Sequence, residues 1–232
     1  MGRGSRVAVS GCGGKTSVVN VLADEAGEGL SVLVTPTTKI YPVLDAGVDL
    51  VTTREGCLAH VPLPGIQCLG LLNDETGKLE ALAPEDLAAI APRYDIVLME
   101  ADGSRKLPCK GWAENEPVIP GFATHTLGVV SVNAVGLVAA AENVLRLDEF
   151  LKLTGLYRGE TVTAGALAAM VASPNGMLRR RAGDVAVAIN QVEDERGREI
   201  SLELATLIRG IWGNSPLRIV SGSARENRWA EL

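Results

Sequence analysis

The segment SGCGGKTS at residues 10–17 constrains the fold of this chain more than any other stretch. It follows the apolar run RVAV at residues 6–9 and opens a segment of helical character, so it lies between a strand and a helix. Glycines let a backbone curl until several N–H groups point into one cavity, and the positive end of the helix dipole faces the same place. Lys15 adds a charge for outer phosphates, and Thr16 or Ser17 adds a hydroxyl for Mg²⁺. This layout predicts a phosphate-binding loop.

The loop is shorter than the usual pattern of Gly, four residues, Gly, Lys and Ser or Thr, because Val9 stands where the first glycine is expected. The remaining letters GCGGKT are similar to the compact GTNGKT loop of Mur-type amide ligases. The alternative interpretation is a glycine-rich turn that happens to precede a lysine. On the first interpretation, the phosphates of ATP or GTP contact the glycines, the lysine and the hydroxyl residues: Gly11, Gly13, Gly14, Lys15, Thr16 and Ser17.

Composition narrows the class of protein. The chain has 232 residues, of which 47% are hydrophobic, enough for the core of one α/β domain. Its net charge of −6 argues against general nucleic-acid binding. No apolar run is long enough to span a bilayer, and the four cysteines show no Cys-x-x-Cys spacing. We therefore expect a cytoplasmic protein that binds neither nucleic acid nor a membrane and has no disulfide framework or zinc site.

Apolar runs alternate with helical stretches along the chain. Strands are predicted at residues 6–10, 31–35, 95–99, 126–132, 185–189 and 217–220, with helices at 16–26, 84–90, 147–153, 164–172 and 200–211. Continuous apolar strands with crossover helices predict an α/β fold with a doubly wound, mostly parallel sheet, as a single P-loop-like domain over residues 1–232. Residues 69–82 resemble a hairpin that turns at 73–77, within a candidate β-rich insertion at about 49–82. Gly27 and Gly29 are predicted to end the first helix.

Two acids follow the apolar strand at residues 95–99, in the sequence EADGSRK. Parallel sheets bind ligands at the carboxyl ends of their strands, and Glu100 and Asp102 lie on the same side of an extended chain. We predict catalytic roles for Lys15, Glu100 and Asp102, and a Mg²⁺ site at Thr16, Glu100 and Asp102. The alternative is that both acids are solvated residues of a turn closed by Gly103.

Polar residues also follow the second strand, in TPTTK at residues 35–39. Thr37, Thr38 and Lys39 can contact a γ-phosphate or its ion, as a switch segment does, although threonine also simply favours strands. Arg105 and Lys110 are further candidates around the phosphates or a substrate.

The late apolar strand at residues 185–189 runs into Asn190, Gln191 and, two positions on, Glu193. Guanine-binding proteins often carry Asn-Lys-x-Asp at this place in the topology, where the carboxylate accepts from the base. Here glutamine stands for the lysine and glutamate for the aspartate. The sequence therefore supports a base contact through Asn190 but not a preference for guanine.

Five motifs occur along the chain in this order: GCGGKTS at residues 11–17, TTKIYP at 37–42, EADGSR at 100–105, EPVIP at 116–120 and INQVE at 189–193. Together they resemble the YqeC family, described as selenium-dependent molybdenum hydroxylase accessory proteins. The resemblance runs from Val7 to about Ser223, and Arg146 matches an arginine that the family carries before a helical segment. Pro36 and Glu193 depart from the threonine and the aspartate that are usual there.

The resemblance implies a cytoplasmic, P-loop-like protein in the maturation of a selenium-dependent molybdenum hydroxylase or of its cofactor. We expect a Mg²⁺-dependent NTPase or phosphotransferase that uses ATP or GTP, with a molybdenum hydroxylase or a cofactor-assembly protein as the candidate partner. Three alternatives stay open. They are an ATP-dependent ligase or nucleotidyl-type enzyme acting on a small anionic substrate, a non-enzymatic nucleotide-sensing chaperone, and a degenerate loop that binds a phosphate-bearing cofactor such as a pterin.

Overall fold

The computed structural model describes residues 1–26, 28–40 and 48–232. The first half of the described chain contains β1 (Arg6–Gly11), α1 (Lys15–Ala26), β2 (Ser31–Pro36), β3 (Asp49–Val51), α2 (Arg54–Ala59), β4 (Gly65–Leu69), β5 (Leu71–Asn73), β6 (Lys78–Glu80), α3 (Pro84–Ile90) and β7 (Ile96–Glu100). The second half contains β8 (Cys109–Lys110), β9 (His125–Ser131), β10 (Val144–Leu145), α4 (Leu147–Thr154), α5 (Ala164–Ala172), β11 (Asp184–Asn190), α6 (Glu195–Trp212), β12 (Arg218–Ser223) and β13 (Arg228–Glu231).

Nine strands of the described chain form one sheet, in the order β13-β12-β11-β9-β1-β7-β2-β4-β3. Neighbouring strands are parallel except for β12 and β13, which are antiparallel. β1 lies between β7 and β9, and its register pairs Val9 with Glu100 and Gly11 with Val129. The carboxyl ends of the central strands therefore meet at one edge, where parallel sheets bind ligands. This confirms the predicted doubly wound, mostly parallel α/β sheet.

Side chains are buried on both faces of the sheet, which explains why its strands read as continuous apolar runs. On one face, Val7 and Val9 of β1 pack with Val18 and Val19 of α1. On the other face, α2 and α3 cover β1, β2 and β7, while α4, α5 and α6 cover β9, β11 and β12. Helices on both faces hold the strand ends, and hence the side chains that follow them, in fixed positions.

Helix α6 begins at Glu195, five residues before the start that the apolar pattern predicts at residue 200. Its first turn is polar, so apolar periodicity alone cannot detect it. The start is set by a cap, because the side chain of Asp194 accepts a hydrogen bond from the N–H of Gly197 at 2.7 Å. Residues 191–194 therefore form a short connection between β11 and α6, at the carboxyl edge of the sheet.

β5 and β6 form a hairpin apart from the large sheet, with Leu71 opposite Glu80 and Asn73 opposite Lys78. The side-chain oxygen of Asn73 accepts from the N–H of Thr76 at 3.0 Å, which shapes the turn. The predicted hairpin is confirmed. Of the other strands within residues 49–82, β3 and β4 belong to the large sheet. The single-domain description of residues 1–232 stays a prediction.

Three strands, β8, β10 and β13, and helix α2 were not predicted from the sequence. β8 and β10 have two residues each and pair in parallel, Cys109 with Val144 and Lys110 with Leu145, and so short a run carries no detectable period. The predicted helix end at Gly27 and residues 41–42 of the second motif lie outside the described residues. Within the described ranges, no helix has the length and apolar character needed to cross a bilayer.

Candidate functional site

The glycine loop lies between β1 and α1, at the carboxyl edge of the sheet. Gly11, Gly13 and Gly14 have φ angles of 112°, 81° and 111°, in the left-handed region that residues with a Cβ rarely adopt. A Cβ on Gly14 would lie 2.5 Å from Nδ2 of Asn190, and one on Gly13 would overlap the side chain of Ser131. Both the backbone turn and the close neighbours therefore require glycine here.

Lys15 opens α1, but its side chain folds back into the loop and is only 2% exposed. Its ammonium group donates to the carbonyl oxygen of Gly11 at 2.6 Å and lies 3.2 Å from Oδ1 of Asp102 and 3.7 Å from Oε1 of Glu100. Burial acts to lower the pKa of Lys15, but the two carboxylates outweigh burial and hold this pKa above its ordinary value. The lysine is therefore charged and is held at the loop by groups of its own chain.

Glu100 ends β7 beside the loop and is 8% exposed. Its Oε2 accepts a hydrogen bond from Oγ1 of Thr16 at 3.4 Å. Burial raises the pKa of Glu100, and the charge of Lys15 opposes that rise. The strand-end rule thus placed this acid correctly, because the described contacts join it to two residues of the loop and its helix.

The pair formed by Thr16 and Glu100 has the chemistry of a magnesium site, because Mg²⁺ takes oxygen ligands such as hydroxyl and carboxylate groups. Thr16 lies in the first turn of the helix that follows the glycine loop, and Glu100 lies at the end of the neighbouring strand β7, as in phosphate-binding loops. No group of three or more His, Cys, Asp and Glu side chains is placed to hold a metal ion in the described part of the chain. A magnesium ion here would therefore take its remaining ligands from phosphate and water.

Asp102 is fully buried and its two oxygens are already occupied by protein groups. The N–H of Gly11 donates to both oxygens, at 3.1 and 3.2 Å, and Nε1 of Trp112 donates to Oδ2 at 2.5 Å. The ammonium groups of Lys15 and Lys110 lie 3.2 and 3.3 Å away. A carboxylate with this many donors does not fit the predicted metal-binding or catalytic role. It holds the start of the glycine loop instead.

Asp102 is one member of a series of charged side chains that we call the buried ion chain: Lys15, Asp102, Lys110, Glu116 and Arg146. Nζ of Lys110 lies 2.8 Å from Oε2 of Glu116 and donates to the carbonyl oxygen of Gly103 at 2.6 Å. Arg146 donates to both oxygens of Glu116, at 2.8 and 3.0 Å. The buried ion chain therefore connects the glycine loop to Arg146, the residue that precedes α4.

The pairing of β8 with β10 explains how the sequence builds this chain, since it places Lys110 beside Leu145 and hence close to Arg146. Arg179 supports the same segment from another side, because it donates to the carbonyl oxygens of Ala113 and, at 2.6 Å, Glu116. Lys110 was predicted to lie near the phosphates or a substrate. The structure instead buries its side chain completely among carboxylates and backbone oxygens.

The three polar residues after β2 differ in their surroundings. Oγ1 of Thr37 donates to the carbonyl oxygen of Val118 at 2.6 Å. Lys39 pairs with Glu80 of the hairpin at 2.7 Å and is largely exposed. Oγ1 of Thr38 is buried and has no hydrogen-bond partner among the described residues. Of these three residues, Thr38 therefore keeps a hydroxyl that a ligand or a water molecule can use, and the γ-phosphate contact stays a prediction.

Two other predicted residues lie on exposed surface. Ser17 is in the first turn of α1, and Arg105 is in the turn after β7 with a positive φ of 51°. None of the described contacts joins Arg105 to the glycine loop. Their roles in binding phosphate stay predictions.

Asn190 is buried at the end of β11, and the described contacts use both ends of its amide. Nδ2 donates to the carbonyl oxygen of Gly13 at 3.0 Å, and Oδ1 accepts from the N–H of Ala224 at 2.9 Å. The side chain thus ties the glycine loop to the end of β12. The base contact predicted for Asn190 stays a prediction, while its structural contact to the loop is direct.

Comparison with known proteins agrees with the order of motifs. A family model described as YqeC protein matches residues 7–148, which include the glycine loop and the whole buried ion chain. The chain belongs to the YqeC family. The uncharacterized protein YqeC of Escherichia coli (strain K12) is 32% identical over 178 residues, which cover 75% of this chain and 70% of that protein. The predicted family is thereby confirmed.

In this YqeC family member, the contacts that were not predicted from the sequence are those that extend the buried ion chain from Asp102 to Arg146. Trp112, which donates to Asp102, gave no signal because a single tryptophan usually reads as part of a core. Glu116 and Arg146 stand in recognised motifs, yet no spacing rule places residues 30 positions apart in contact. The motifs pointed to the residues, and only the fold showed their pairing.

Cys12 lies inside the glycine loop and is fully buried in the core that contains Val130 and Met177. Burial raises the pKa of its thiol well above the ordinary range. Its N–H donates to the carbonyl oxygen of Val129 at 3.0 Å. The residue therefore acts as a small apolar filler between the loop and β9.

Proposed function

We propose that this protein binds a magnesium–nucleotide complex at residues 11–16 and acts on its terminal phosphate, as an NTPase or a phosphotransferase using ATP or GTP. The observation that carries the proposal is the contact between the Thr16 hydroxyl and the Glu100 carboxylate, beside the ammonium group of Lys15. A hydroxyl and a carboxylate for Mg²⁺, a lysine for phosphate and a glycine turn are the parts that phosphate-binding loops combine.

Each side chain has a role in the proposed reaction. The N–H groups of the loop and of the first turn of α1 bind phosphate oxygens, and the helix dipole favours their negative charge. Lys15 leaves the carbonyl oxygen of Gly11 and pairs with the outer phosphates. Thr16 and Glu100 would hold a magnesium ion, and Glu100 would orient the attacking group. A bound magnesium ion would neutralise part of the negative charge on the phosphates.

The movement of Lys15 is supported by the partners that Asp102 retains. Once Lys15 pairs with phosphate, the Asp102 carboxylate still accepts from Trp112 and Gly11 and lies beside the charge of Lys110. A buried carboxylate stripped of every partner would be strongly destabilising. Here the phosphate replaces one carboxylate partner of the lysine, and a second lysine continues to balance Asp102.

We further propose that this activity serves the maturation of a selenium-dependent molybdenum hydroxylase or of its cofactor in the cytoplasm. The candidate partner is the hydroxylase or a protein that assembles its cofactor. Support comes from family membership and from the five motifs that carry the resemblance. A direct test is to add purified protein and nucleotide to an immature molybdenum hydroxylase and to measure the gain of hydroxylase activity, with the Lys15→Met variant as the control.

Isothermal titration with ATP and GTP, with magnesium and with a chelator, tests the binding proposal. We expect at least one nucleotide to bind, with an affinity that magnesium increases. The Glu100→Gln variant should keep binding but release phosphate about 100-fold more slowly, the usual contribution of one positioned catalytic carboxylate. Glu203→Gln, on the exposed face of α6, is the matched control and should behave as the wild type.

Three outcomes would separate the alternatives. A wild-type protein that binds neither nucleotide overturns the proposal. Tight binding with negligible turnover, unchanged in the Glu100→Gln variant, favours the nucleotide-sensing chaperone. Phosphate release that requires a small anionic second substrate favours the ligase or nucleotidyl-type enzyme.

A further inference from the structure

The turns after β11 and β12 are joined to the glycine loop by one side chain. Asn190 donates to the carbonyl oxygen of Gly13 and accepts from the N–H of Ala224, at 3.0 and 2.9 Å. Because β11 and β12 run parallel to β1, their carboxyl ends lie at the same edge of the sheet as the loop. A nucleotide with its phosphates at the loop therefore has residues 190–193 and 221–225 beside it along this edge.

Glu193 is held in place within these two turns. Its Oε1 accepts a hydrogen bond from Oγ of Ser223 at 3.0 Å. The N–H of Val192 donates to the carbonyl oxygen of Gly222 at 2.9 Å, which fixes one turn against the other. The Glu193 side chain is 35% exposed, so its carboxylate is both oriented and open to solvent. It borders a surface depression of about 380 Å³, to which Val192 and Gly222 also contribute.

Arg225 forms an ion pair with this carboxylate. Its Nη1 lies 3.7 Å from Oε2 of Glu193, but its side chain is 83% exposed. Ion pairs of this kind contribute little, because solvent screens both charges. The pair can therefore give way to a ligand that offers better-placed donors to the carboxylate.

The side chain of Gln191 contacts a residue beside the glycine loop, unlike that of Glu193. It has a positive φ of 65°, and its Oε1 accepts a hydrogen bond from Oγ of Ser131. Ser131 lies directly against Gly13, so that this glutamine supports the floor of the loop. Its side chain is thus directed toward the loop, and Glu193 is the residue of this turn whose polar group faces open space.

A carboxylate has two acceptor oxygens side by side, which suit two adjacent N–H donors. Guanine presents such a pair on one ring edge, at N1 and at the amino group on C2. At the same edge adenine presents an unprotonated N1, whose lone pair would face the carboxylate. A site that needs hydrogen bonds from its substrate strongly rejects an analogue that lacks the donors.

We propose that Glu193, positioned by Ser223, selects guanine nucleotides over adenine nucleotides. The inference rests on the proposed function, since it specifies which base accompanies the phosphates at the loop. From the sequence, glutamate in place of aspartate argued against guanine. In the structure the longer side chain has a partner of its own, the Ser223 hydroxyl, which directs the carboxylate.

The experiment measures the affinities of GTP, ATP, inosine triphosphate and xanthosine triphosphate, each with magnesium, by titration calorimetry. We expect GTP to bind at least about 100-fold more tightly than ATP. Inosine triphosphate lacks the amino group on C2, so it should bind about tenfold more weakly than GTP, the effect of one lost hydrogen bond to a charged group.

Glu193→Gln exchanges one acceptor oxygen for an amide donor, which matches the carbonyl group that xanthine carries at C2. The variant should bind GTP about 100-fold more weakly and xanthosine triphosphate about tenfold more tightly than the wild type does. Glu199→Gln, an exposed acid of α6, is the control and should change neither affinity. A gain for xanthosine triphosphate cannot arise from a variant that is merely misfolded.

Each other result has a distinct meaning. If ATP binds as tightly as GTP, base selection by Glu193 is overturned while the proposed function stands. If Glu193→Gln weakens all four nucleotides equally, Glu193 supports the fold and does not select the base, which also overturns the inference. If no nucleotide binds the wild type, the proposed function fails and the inference fails with it.

Discussion

The ammonium group of Lys15 lies 3.2 Å from the carboxylate of Asp102, and both side chains are almost completely shielded from water. These two residues belong to a connected series of ion pairs in which the charges balance. The series contains three cations and three carboxylates: Lys15, Lys110, Arg146, Glu100, Asp102 and Glu116. Because buried charges interact strongly with one another, a movement of Lys15 toward phosphate changes the electrostatic energy of the whole series. The resting state of the loop is therefore coupled to the segment that leads into α4.

Replacing Lys15 by methionine tests the part of this series that meets the ligand. The variant loses the charge that pairs with outer phosphates, so nucleotide affinity should fall about 10- to 100-fold, the effect of one charge-assisted hydrogen bond. Titration calorimetry with magnesium and nucleotide measures the change. Lys152→Met, on the exposed side of α4, is the control and should bind as the wild type does. Unchanged affinity in Lys15→Met would show that the lysine stays with Asp102 when nucleotide binds.

Asp102→Asn tests whether Asp102 supports the structure. The amide keeps the shape of the carboxylate but leaves Lys15 and Lys110 buried with one negative charge fewer. Removing one partner of a buried ion pair costs about 3–5 kcal/mol, so the free energy of unfolding should fall by that amount. Urea denaturation followed by circular dichroism measures it.

The matched control for Asp102→Asn is Asp148→Asn. Asp148 pairs with Arg158 on the surface, and both side chains are largely exposed. Its replacement should change the free energy of unfolding by less than about 0.5 kcal/mol. If the two variants unfolded at the same urea concentration, the carboxylate of Asp102 would contribute no more to stability than a surface acid.

The parts of this site that could be predicted follow from local rules. Glycines before a lysine, and an acid at the end of an apolar strand, can be recognised in the sequence, and the parallel sheet brings them to one edge. Glu100 and Asp102 were also expected on one side of the extended chain, and both lie beside Lys15. What differs between them is their hydrogen-bond partners, because Trp112 of a later loop donates to Asp102 while Thr16 of α1 donates to Glu100.

The parts that could not be predicted depend on contacts distant in sequence. Strands of two residues show no alternation, so the pairing of β8 with β10 was not detectable, and with it the approach of Arg146 to Glu116. The start of α6 was placed late because it depends on the cap at Asp194 rather than on apolar spacing. Asn190 was predicted to contact a base, which stays a prediction, and its contact with Gly13 depends on two strands that only the sheet order brings near.

The cysteines provide a test of packing around the loop. Cys12 and Cys109 are buried in the same core, and burial raises the pKa of the Cys109 thiol to about 12. Because the thiolate is the reactive form, both thiols should react slowly with a disulfide reagent in the native protein at mildly alkaline pH and rapidly in denaturant. The absorbance of the thiolate that the reagent releases measures the rates. Fast native labelling at Cys12, located by peptide mass spectrometry, would show that the loop opens spontaneously.

The far end of the buried ion chain can be tested by a double-mutant cycle of Glu116→Gln and Arg146→Met. Each single variant breaks the two-hydrogen-bond contact between these residues, and Glu116→Gln also removes a negative charge beside the fully buried Lys110. Glu116→Gln should therefore cost more stability than Arg146→Met. Residues in direct contact within one network are not additive, so a coupling energy of about 0.5–3 kcal/mol is expected from urea unfolding of the four proteins.

Nucleotide affinity measured for the same four proteins shows whether the buried ion chain couples α4 to the glycine loop. Arg146 touches neither the loop nor the proposed magnesium site among the described contacts, so a change in affinity in Arg146→Met must pass through Glu116, Lys110 and Asp102. We expect such a change, because Lys110 balances Asp102 when Lys15 moves to phosphate. If the unfolding measurements show coupling while all four proteins bind nucleotide with the same affinity, the buried ion chain stabilises the fold but does not couple α4 to nucleotide binding.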